Sequence, residues 1–518
     1  MLRGILTVGG WTMASRLLGV LRDILIAALA GAGPVADAFF VANRLPNLFR
    51  RLFGEGAFNA AFVPAFSSLL QREGADSAKT FAQETIAVMA FWLLALTLLC
   101  MVAMPVIMLG FAPGFADEPE KFTLTVELAR IAFPYMPLIC LTALLSGILN
   151  GLDRFAAAAA APVLYNLVSI ACMLWLVPFV PSVGHALAWG VSASGVVQLA
   201  LLYIAVRRAG MRLYLPRPRL TPRIRALLRK MGPGVLGAGI TQVNMSVDVI
   251  IATLLPAGTA AILYYADRVA QLPLGVIGVA VGTALLPRLS RAVAAAEQGG
   301  DANAPNATLN QAISYALVLT LPAAIALIAV GAPIIDVLFR RGAFTAETVI
   351  PTAQALAAYA AGLPAFVLLK ILAPAFFARG DTATPVRVGL WCIALNLALN
   401  VALMHPLQHM GPPLASSLSN WANVIALAAI LLRRGHMSLT RPLLLDIARM
   451  AAAALLMAAV LWALQRHAYA PFAADPALRW LGLALLVGGG MATYGAAVTA
   501  LGLLKPAQLL TRLRRPRN

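Results

Sequence analysis

The sequence predicts an all-α polytopic membrane protein of about fourteen transmembrane helices, and three observations predict it. Apolar residues make up 61% of the 518 residues and charged residues 11%, whereas a soluble domain carries roughly 25% charged residues. Mean hydropathy is +0.85. The apolar residues gather in runs that reach the roughly 20 residues needed to cross a bilayer. Backbone groups in hydrocarbon have no water to bond, so such runs must be helices, and the strands of a membrane barrel do not fit.

Between charged or Pro/Gly-rich breaks, spans fall near 5–28, 36–68, 84–111, 125–150, 158–180, 185–206, 231–255, 260–290, 309–336, 349–376, 384–404, 411–432, 445–465 and 478–503. The N-terminus has the superficial form of a signal peptide, with Arg3 before an apolar stretch. Arg16, Arg22 and Asp23 interrupt that stretch and no small-residue cleavage site follows, so it reads as a retained first helix. The cysteines Cys100, Cys140, Cys172 and Cys392 all fall inside spans, without paired or metal-binding spacing, and read as core residues.

The formal charge of +19 raises the question of nucleic acid, and the placement of the charge answers against it. The linker from Arg207 to Lys230 carries nine basic residues and no acidic one, which fixes it in the cytoplasm under the positive-inside rule. Counting spans outward puts Arg72 and Lys79, Arg154, Arg288 and Arg291, Arg379 and Arg387, Arg433, Arg434 and Arg441, and the tail with Arg512 to Arg517 inside. Asp117, Glu118 and Glu120 fall outside, both termini are cytoplasmic, and Arg340-Arg341 is the exception. The expected location is the inner membrane.

Internal similarity recurs at an offset of about 225 residues, the signature of a duplicated bundle. Pro64 pairs with Pro287, Phe39-Phe40 with Tyr264-Tyr265, Pro137 with Pro364, Gly151 with Gly380 and Pro162 with Pro385. The organisation read from this is an N-terminal six-helix bundle over 1–215, a second over 216–435, and two further helices with a basic tail over 436–518. Parallel repeats of this kind place their substrate in the cleft between bundles.

Charges inside the apolar runs carry the chemistry. Arg16, Arg22 and Asp23 lie within the first span, where an arginine at a helix centre costs roughly 2.5–3.5 kcal/mol and usually faces a bundle interior or an aqueous cavity. Arg16 and Asp23 share a helix face at a spacing of seven; an ion pair that only holds the bundle together is the alternative. The second span carries Asp37, and from Asn43 onward Asn43, Asn47, Arg50 or Arg51, and Glu55 recur at three to five residues and line one face, bent by Pro46, Pro64, Gly54 and Gly56. The alternative makes 43–55 a juxtamembrane loop. The motif YYADR adds Asp267 and Arg268 at the equivalent place in the second repeat. The cationic surplus of Arg16, Arg22, Arg50 and Arg268 suits a phosphate-bearing anion, because arginine pairs bidentately with phosphate.

Asp248 and Asp381 are two further carboxylates that could meet in the second bundle, as ligands of a coupling cation or as proton-titrating or structural groups. No enzyme is indicated. The five histidines lack metal-binding spacing and there is no phosphate-cradling glycine loop, so no cofactor is expected beyond a coupling ion, sodium or proton, or the membrane potential itself.

The runs SRLLGVLRD at 15–23, ADAFFVANRLPNLFRRLFGEGAFNAAFVP at 36–64, APGFA at 112–116, YYADR at 264–268, GVIGVAVGTALLP at 275–287 and DTATPV at 381–386 resemble the MurJ (MviN) lipid II flippases of the multidrug/oligosaccharidyl-lipid/polysaccharide exporter superfamily, over nearly the whole chain. The resemblance implies a V-shaped carrier that moves undecaprenyl-diphosphate-linked peptidoglycan precursor between leaflets by alternating access, serving cell-wall synthesis. It implies that Arg16, Arg22 and Arg268 hold the diphosphate, that Asp23, Asp37, Asn47, Arg50 and Glu55 line or gate the cleft, and that residues 445–503 form a groove for the polyprenyl tail, with Arg449 at its mouth. It also implies a sodium site around Asp248 and Asp381, although Phe377 stands where an asparagine ligand is expected. Lipid II, membrane lipids and cell-wall synthesis proteins are the implied partners. Competing readings are a flippase for another polyprenyl-diphosphate saccharide, a drug or ion antiporter of the same superfamily, which would want acidic cavity walls, and a division scaffold, which would need no cavity arginines.

Overall fold

The apolar runs fold as helices, and the breaks between them fall at prolines, glycines and charges. The computed structural model describes residues 2–51, 57–469, 471–472, 475 and 478–503, and the secondary structure of these residues is helical, with no strand among them. Nine stretches of the described residues are long and apolar enough to cross a membrane. The helix α1 (Leu2–Ala30) is not among them because Arg16, Arg22 and Asp23 interrupt it, and α2 (Pro34–Phe49) and α3 (Ala57–Arg72) are each 16 residues long. Within the expected span at 36–68 the described residues form α2 and α3, and residues 52–56 between them lie outside the described part of the chain.

By contacts the chain separates into two units, Met1–Ala261 with Arg341–Phe344, and Ile262–Arg340 with Thr345–Asn518. The first unit holds α1 to α3, α4 (Ala75–Val102), α5 (Met104–Phe111), α6 (Pro119–Ala132), α7 (Tyr135–Gly151), α8 (Ala156–Leu176), α9 (Val183–Arg208) and α10 (Pro222–Thr253). The duplication places the second repeat from 216, yet α10 packs on α3 and α4, so the contact boundary falls one helix later than the repeat boundary. The basic linker is tied down where α10 begins: Thr221 caps the helix by accepting from Ile224 N–H and also donates to Glu84, while Arg223 reaches Glu73 at 3.0 Å.

The core of this unit shows how spacing makes structure. Phe58, Phe62 and Phe66 recur every four residues on α3 and so share one face. Their rings follow one another at centroid separations of 5.1 and 5.7 Å, and Phe81 of α4 stacks on Phe62 at 5.6 Å. The end of α7 comes so close that a Cβ on Gly151 would lie 2.7 Å from Phe66, which leaves room only for glycine. Replacing Phe62 with alanine should therefore destabilise the unit by about 3–5 kcal/mol, the usual cost of emptying a buried aromatic site. Thermal unfolding in detergent checks this, with Phe91→Ala as the comparison, since Phe91 is 53% exposed and its loss should change little.

The second unit holds α11 (Thr259–Glu297) from residue 262, α12 (Ala304–Ala329), α13 (Gly331–Phe339), α14 (Ala346–Phe377), α15 (Ala383–Leu407), α16 (Gly411–Arg433), α17 (Arg441–Leu464) and α18 (Arg479–Ala500). Its core is built from Leu285, Leu289, Ile313, Ile371, Phe376 and Leu431 among others, from α11, α12, α14 and α16. The expected span at 309–336 breaks at Val330 into α12 and α13, and the span at 84–111 breaks at Ala103 into α4 and α5. The two breaks lie about as far apart as the offset of the sequence similarity.

The helices α17 and α18 pack on each other, and α17 packs on α12. Tyr494 donates to the Val318 carbonyl at 2.8 Å, which docks α18 as well. Arg449 lies beside Asp446 on α17, at 3.5 Å. The Arg340 guanidinium, the exception to the charge count, pairs with Asp336 at 2.8 Å, and Arg479 of α18 approaches the same carboxylate at 3.7 Å. Part of that positive charge is therefore neutralised where it sits.

Candidate functional site

In the first unit Arg22 is held from several sides. Its Nε and Nη2 donate to Asp23 Oδ1 at 3.2 and 2.8 Å, its Nη1 donates to Asn166 Oδ1 at 3.0 Å, and its guanidinium lies 5.2 Å from the centre of the Tyr165 ring. Both Arg22 and Asp23 are buried. Adjacent residues on a helix point about 100° apart, so only the length of the arginine side chain lets it fold back onto its neighbour. Asn166 is oriented in turn: its Nδ2 donates to the Ser15 carbonyl at 2.9 Å and to the Pro162 carbonyl at 3.2 Å. The Pro162 carbonyl and the α1 backbone thus aim the amide oxygen at Arg22. Asp23 pairs with Arg22, whereas Arg16, which the spacing placed on the face of Asp23, is exposed.

The polar face of α2 forms as its spacing predicts. Asn47 Nδ2 donates to the Asn43 carbonyl at 2.8 Å, and Arg50 Nε donates to Asn47 Oδ1 at 3.2 Å. All three residues are half-buried. The helix continues to Phe49 and through a π turn at 50–51, so 43–51 is helical and not a loop. The amide oxygen of Asn43 is buried without a hydrogen-bond partner among the described residues. Such an atom costs free energy unless a water or a ligand reaches it. Glu55 lies outside the described residues.

Asp37 is not on an open wall. It is 1% exposed, and its oxygens accept from the backbone N–H of Gly258 at 2.6 Å and of Ala261 at 2.9 Å, at the first turn of α11. A carboxylate there satisfies orphan donors and meets the positive end of the helix dipole. Lys121 Nζ lies 3.3 Å away, also close to Glu118 and 4.0 Å from the centre of the Phe115 ring. Gly258 has φ +91°, and a Cβ there would sit 2.5 Å from the Ala32 carbonyl, so the turn that presents its N–H to Asp37 requires glycine. Sequence reasoning missed Lys121 because the span was expected to begin at 125, which left it looking like a loop residue. It missed Asn166 because one amide in an apolar run is a faint signal.

In the second unit Arg268 lies half-buried on α11 with its guanidinium 4.8 Å from the centre of the Tyr264 ring. The neighbouring Asp267 accepts from Gln271 one turn on. Asp248 is half-buried on α10 of the first unit.

The side chains around Asp381 do not fit a sodium ion. Oδ1 accepts from the Thr384 N–H at 2.9 Å, and Oδ2 accepts from the Thr384 hydroxyl and from Arg434 Nη1, each at 2.6 Å. Arg434 Nη2 reaches Thr384 Oγ1 at 3.2 Å, and the Phe376 ring centre lies 5.8 Å from the guanidinium. The Thr384 hydroxyl and then the Arg434 guanidinium hold the Asp381 carboxyl well below the usual carboxylate range. Phe377 offers no side-chain oxygen where a ligand is expected and is exposed. The countercharge at Asp381 is thus an arginine of the same chain.

The lipid II flippase MurJ family model matches residues 26–475. A probable lipid II flippase MurJ of Rhizobium meliloti is 44% identical over 502 residues, 96% of this chain and 93% of that protein. A lipid II flippase MurJ of Burkholderia cenocepacia is 35% identical over 437 residues, 84% of each. Among solved structures, a lipid II flippase MurJ in an inward closed conformation superposes with a TM-score of 0.78 at 23% identity, covering 95% of this chain and 99% of that one. An inward-facing multidrug resistance MATE family transporter of the MOP superfamily gives 0.63 at 18% identity, covering 81% and 94%. The two structural likenesses establish the all-helical fold, and the family model and the relatives establish descent: this multi-pass membrane protein belongs to the lipid II flippase MurJ family.

Proposed function

We propose that this chain is a lipid II flippase, a transporter and not an enzyme, that carries the undecaprenyl-diphosphate-linked peptidoglycan precursor from the cytoplasmic to the periplasmic leaflet of the inner membrane by alternating access. The observation that carries the reading is the family match through residues 26–475, which includes the charged stretches of α2 and α11. The geometry supports it by holding Arg22, which Asp23, Asn166 and Tyr165 orient before any substrate arrives. A diphosphate leaving water loses several kcal/mol of hydration per charge unless it is compensated, and a preoriented guanidinium compensates it without further ordering. Arg16 and Arg50 in the first unit and Arg268 in the second are further cations suited to phosphate, and the Asn43–Asn47–Arg50 face supplies polar groups for the headgroup. The basic linker 207–230 and the positive-inside rule support cytoplasmic termini, with Lys121 and Glu118 on the periplasmic side.

Expression in a host depleted of its own lipid II flippase tests the substrate: growth and cell shape should be restored. Failure of a correctly inserted protein would move the assignment towards another polyprenyl-diphosphate saccharide. Because Arg434 occupies the carboxylate of Asp381, coupling should not draw on sodium at that position. Transport in proteoliposomes should be unchanged within error when potassium replaces sodium on both sides at fixed membrane potential, and a strong sodium requirement would contradict this.

A further inference from the structure

A groove of about 490 Å³ opens on the first unit between α4, the α6–α7 break and α9. Its walls are apolar apart from Arg130 and Ser192, and the serine hydroxyl is taken by the Ile131 carbonyl. Trp189 and Val196 flank the opening, each at least half exposed. Arg130 is exposed as well, within the membrane-crossing stretch Pro119–Gly151.

The placement of the arginine follows from a helix break. Residue 105 is proline and has no N–H, so the Met101 carbonyl four residues earlier loses its helical donor. Arg130 Nε fills the vacancy at 3.0 Å. This use of Nε fixes the guanidinium beside the groove, and Nη1 and Nη2 have no acceptor among the described residues. No carboxylate of the described residues is in ion-pair range of Arg130, and Glu127, one turn earlier, is 3.6 Å from His185. Counted at 1.5 Å per residue from the expected span starts at 125 and 185, Arg130 lies about 8 Å and Trp189 about 6 Å inside the outer edge of the membrane, so the groove lies in the outer leaflet on the orientation given above. A cation facing lipid at that depth is costly unless it reaches a phosphate.

We propose that the groove is a binding site for an anionic glycerophospholipid of the outer leaflet, with one acyl chain along Ile131, Leu138 and Val196 and the phosphate on Nη1 and Nη2 of Arg130. The aliphatic walls match the chain and the guanidinium matches the phosphate, bidentately. The site is separate from the arginines assigned to the transported substrate, so its test does not depend on transport.

The full-length protein in phosphatidylcholine nanodiscs doped with a photoactivatable phosphatidylglycerol, labelled at the acyl chain, provides the experiment. Labelled peptides should come from α7 and α9. Arg130→Gln should reduce labelling about tenfold, equivalent to about 1.4 kcal/mol, and Arg130→Lys should retain part of it. Val196→Trp, which fills the groove and keeps the arginine, should also abolish labelling while leaving the thermal unfolding midpoint unchanged. Equal labelling in wild type and Arg130→Gln would overturn the proposal. So would equal labelling by a photoactivatable phosphatidylcholine, or displacement of the label by undecaprenyl phosphate, which would assign the groove to the substrate's tail.

Discussion

Replacing Arg22 with alanine should abolish transport, and the size of the effect has two separable sources. One is loss of the guanidinium that meets the diphosphate. The other is structural: Asp23 would be left buried and charged, and breaking a buried pair on one side typically costs 3–5 kcal/mol. The double variant Arg22→Ala/Asp23→Asn separates them, because it removes the stranded charge. It should recover much of the membrane level lost by the single variant and should still fail to transport. Arg22→Lys keeps the charge but not the fork that serves Asp23 and Asn166 together, so it should transport weakly. Transport by the folded double variant at the wild-type rate would make Arg22 a structural residue.

The second large effect is expected at Asp37. Its substitution by alanine leaves the buried Lys121 ammonium with only the more distant, half-exposed Glu118 and leaves the N–H groups of Gly258 and Ala261 without their acceptor. A loss of about 3–5 kcal/mol is the order for such a broken pair, with about 1–3 kcal/mol for each buried donor left unmade. Asp37→Asn keeps one acceptor and should be milder. Lys121→Met should be damaging alone, through the unpaired carboxylate, and much less so combined with Asp37→Asn. A double-mutant cycle on thermal unfolding in detergent reads the coupling directly, and additive effects would show that the pair is not a unit.

The fold was legible where apolar length and charge dominate, and less so where single prolines decide. The runs at 158–180, 185–206, 349–376 and 411–432 correspond closely to α8, α9, α14 and α16. The breaks at Ala103 and Val330 leave no mark in the hydropathy, because Pro105 and Pro333 sit in sequence apolar enough to look continuous. Of the site, Arg22 stands out in the sequence because charge in an apolar run is expensive. Its partner Asn166 lies 144 residues away, and no local pattern connects them. The spacing of Asn43, Asn47 and Arg50 predicts their shared face, since that relation is internal to one helix. The position of Asp37 against the start of α11 depends on a glycine turn far along the chain, which periodicity does not encode. Phe377 warned against a sodium site in the sequence, and Arg434 supplies the physical reason.

Transport of lipid II is read from its distribution between the two leaflets. The purified protein is reconstituted in liposomes carrying lipid II on one face, and the fraction accessible to a membrane-impermeant probe is followed over time. Equilibration should be rapid with the wild-type chain and near the rate of protein-free liposomes with Arg22→Ala/Asp23→Asn. Equilibration of lipid II no faster than in protein-free liposomes, by a wild-type chain shown to be folded, would contradict it.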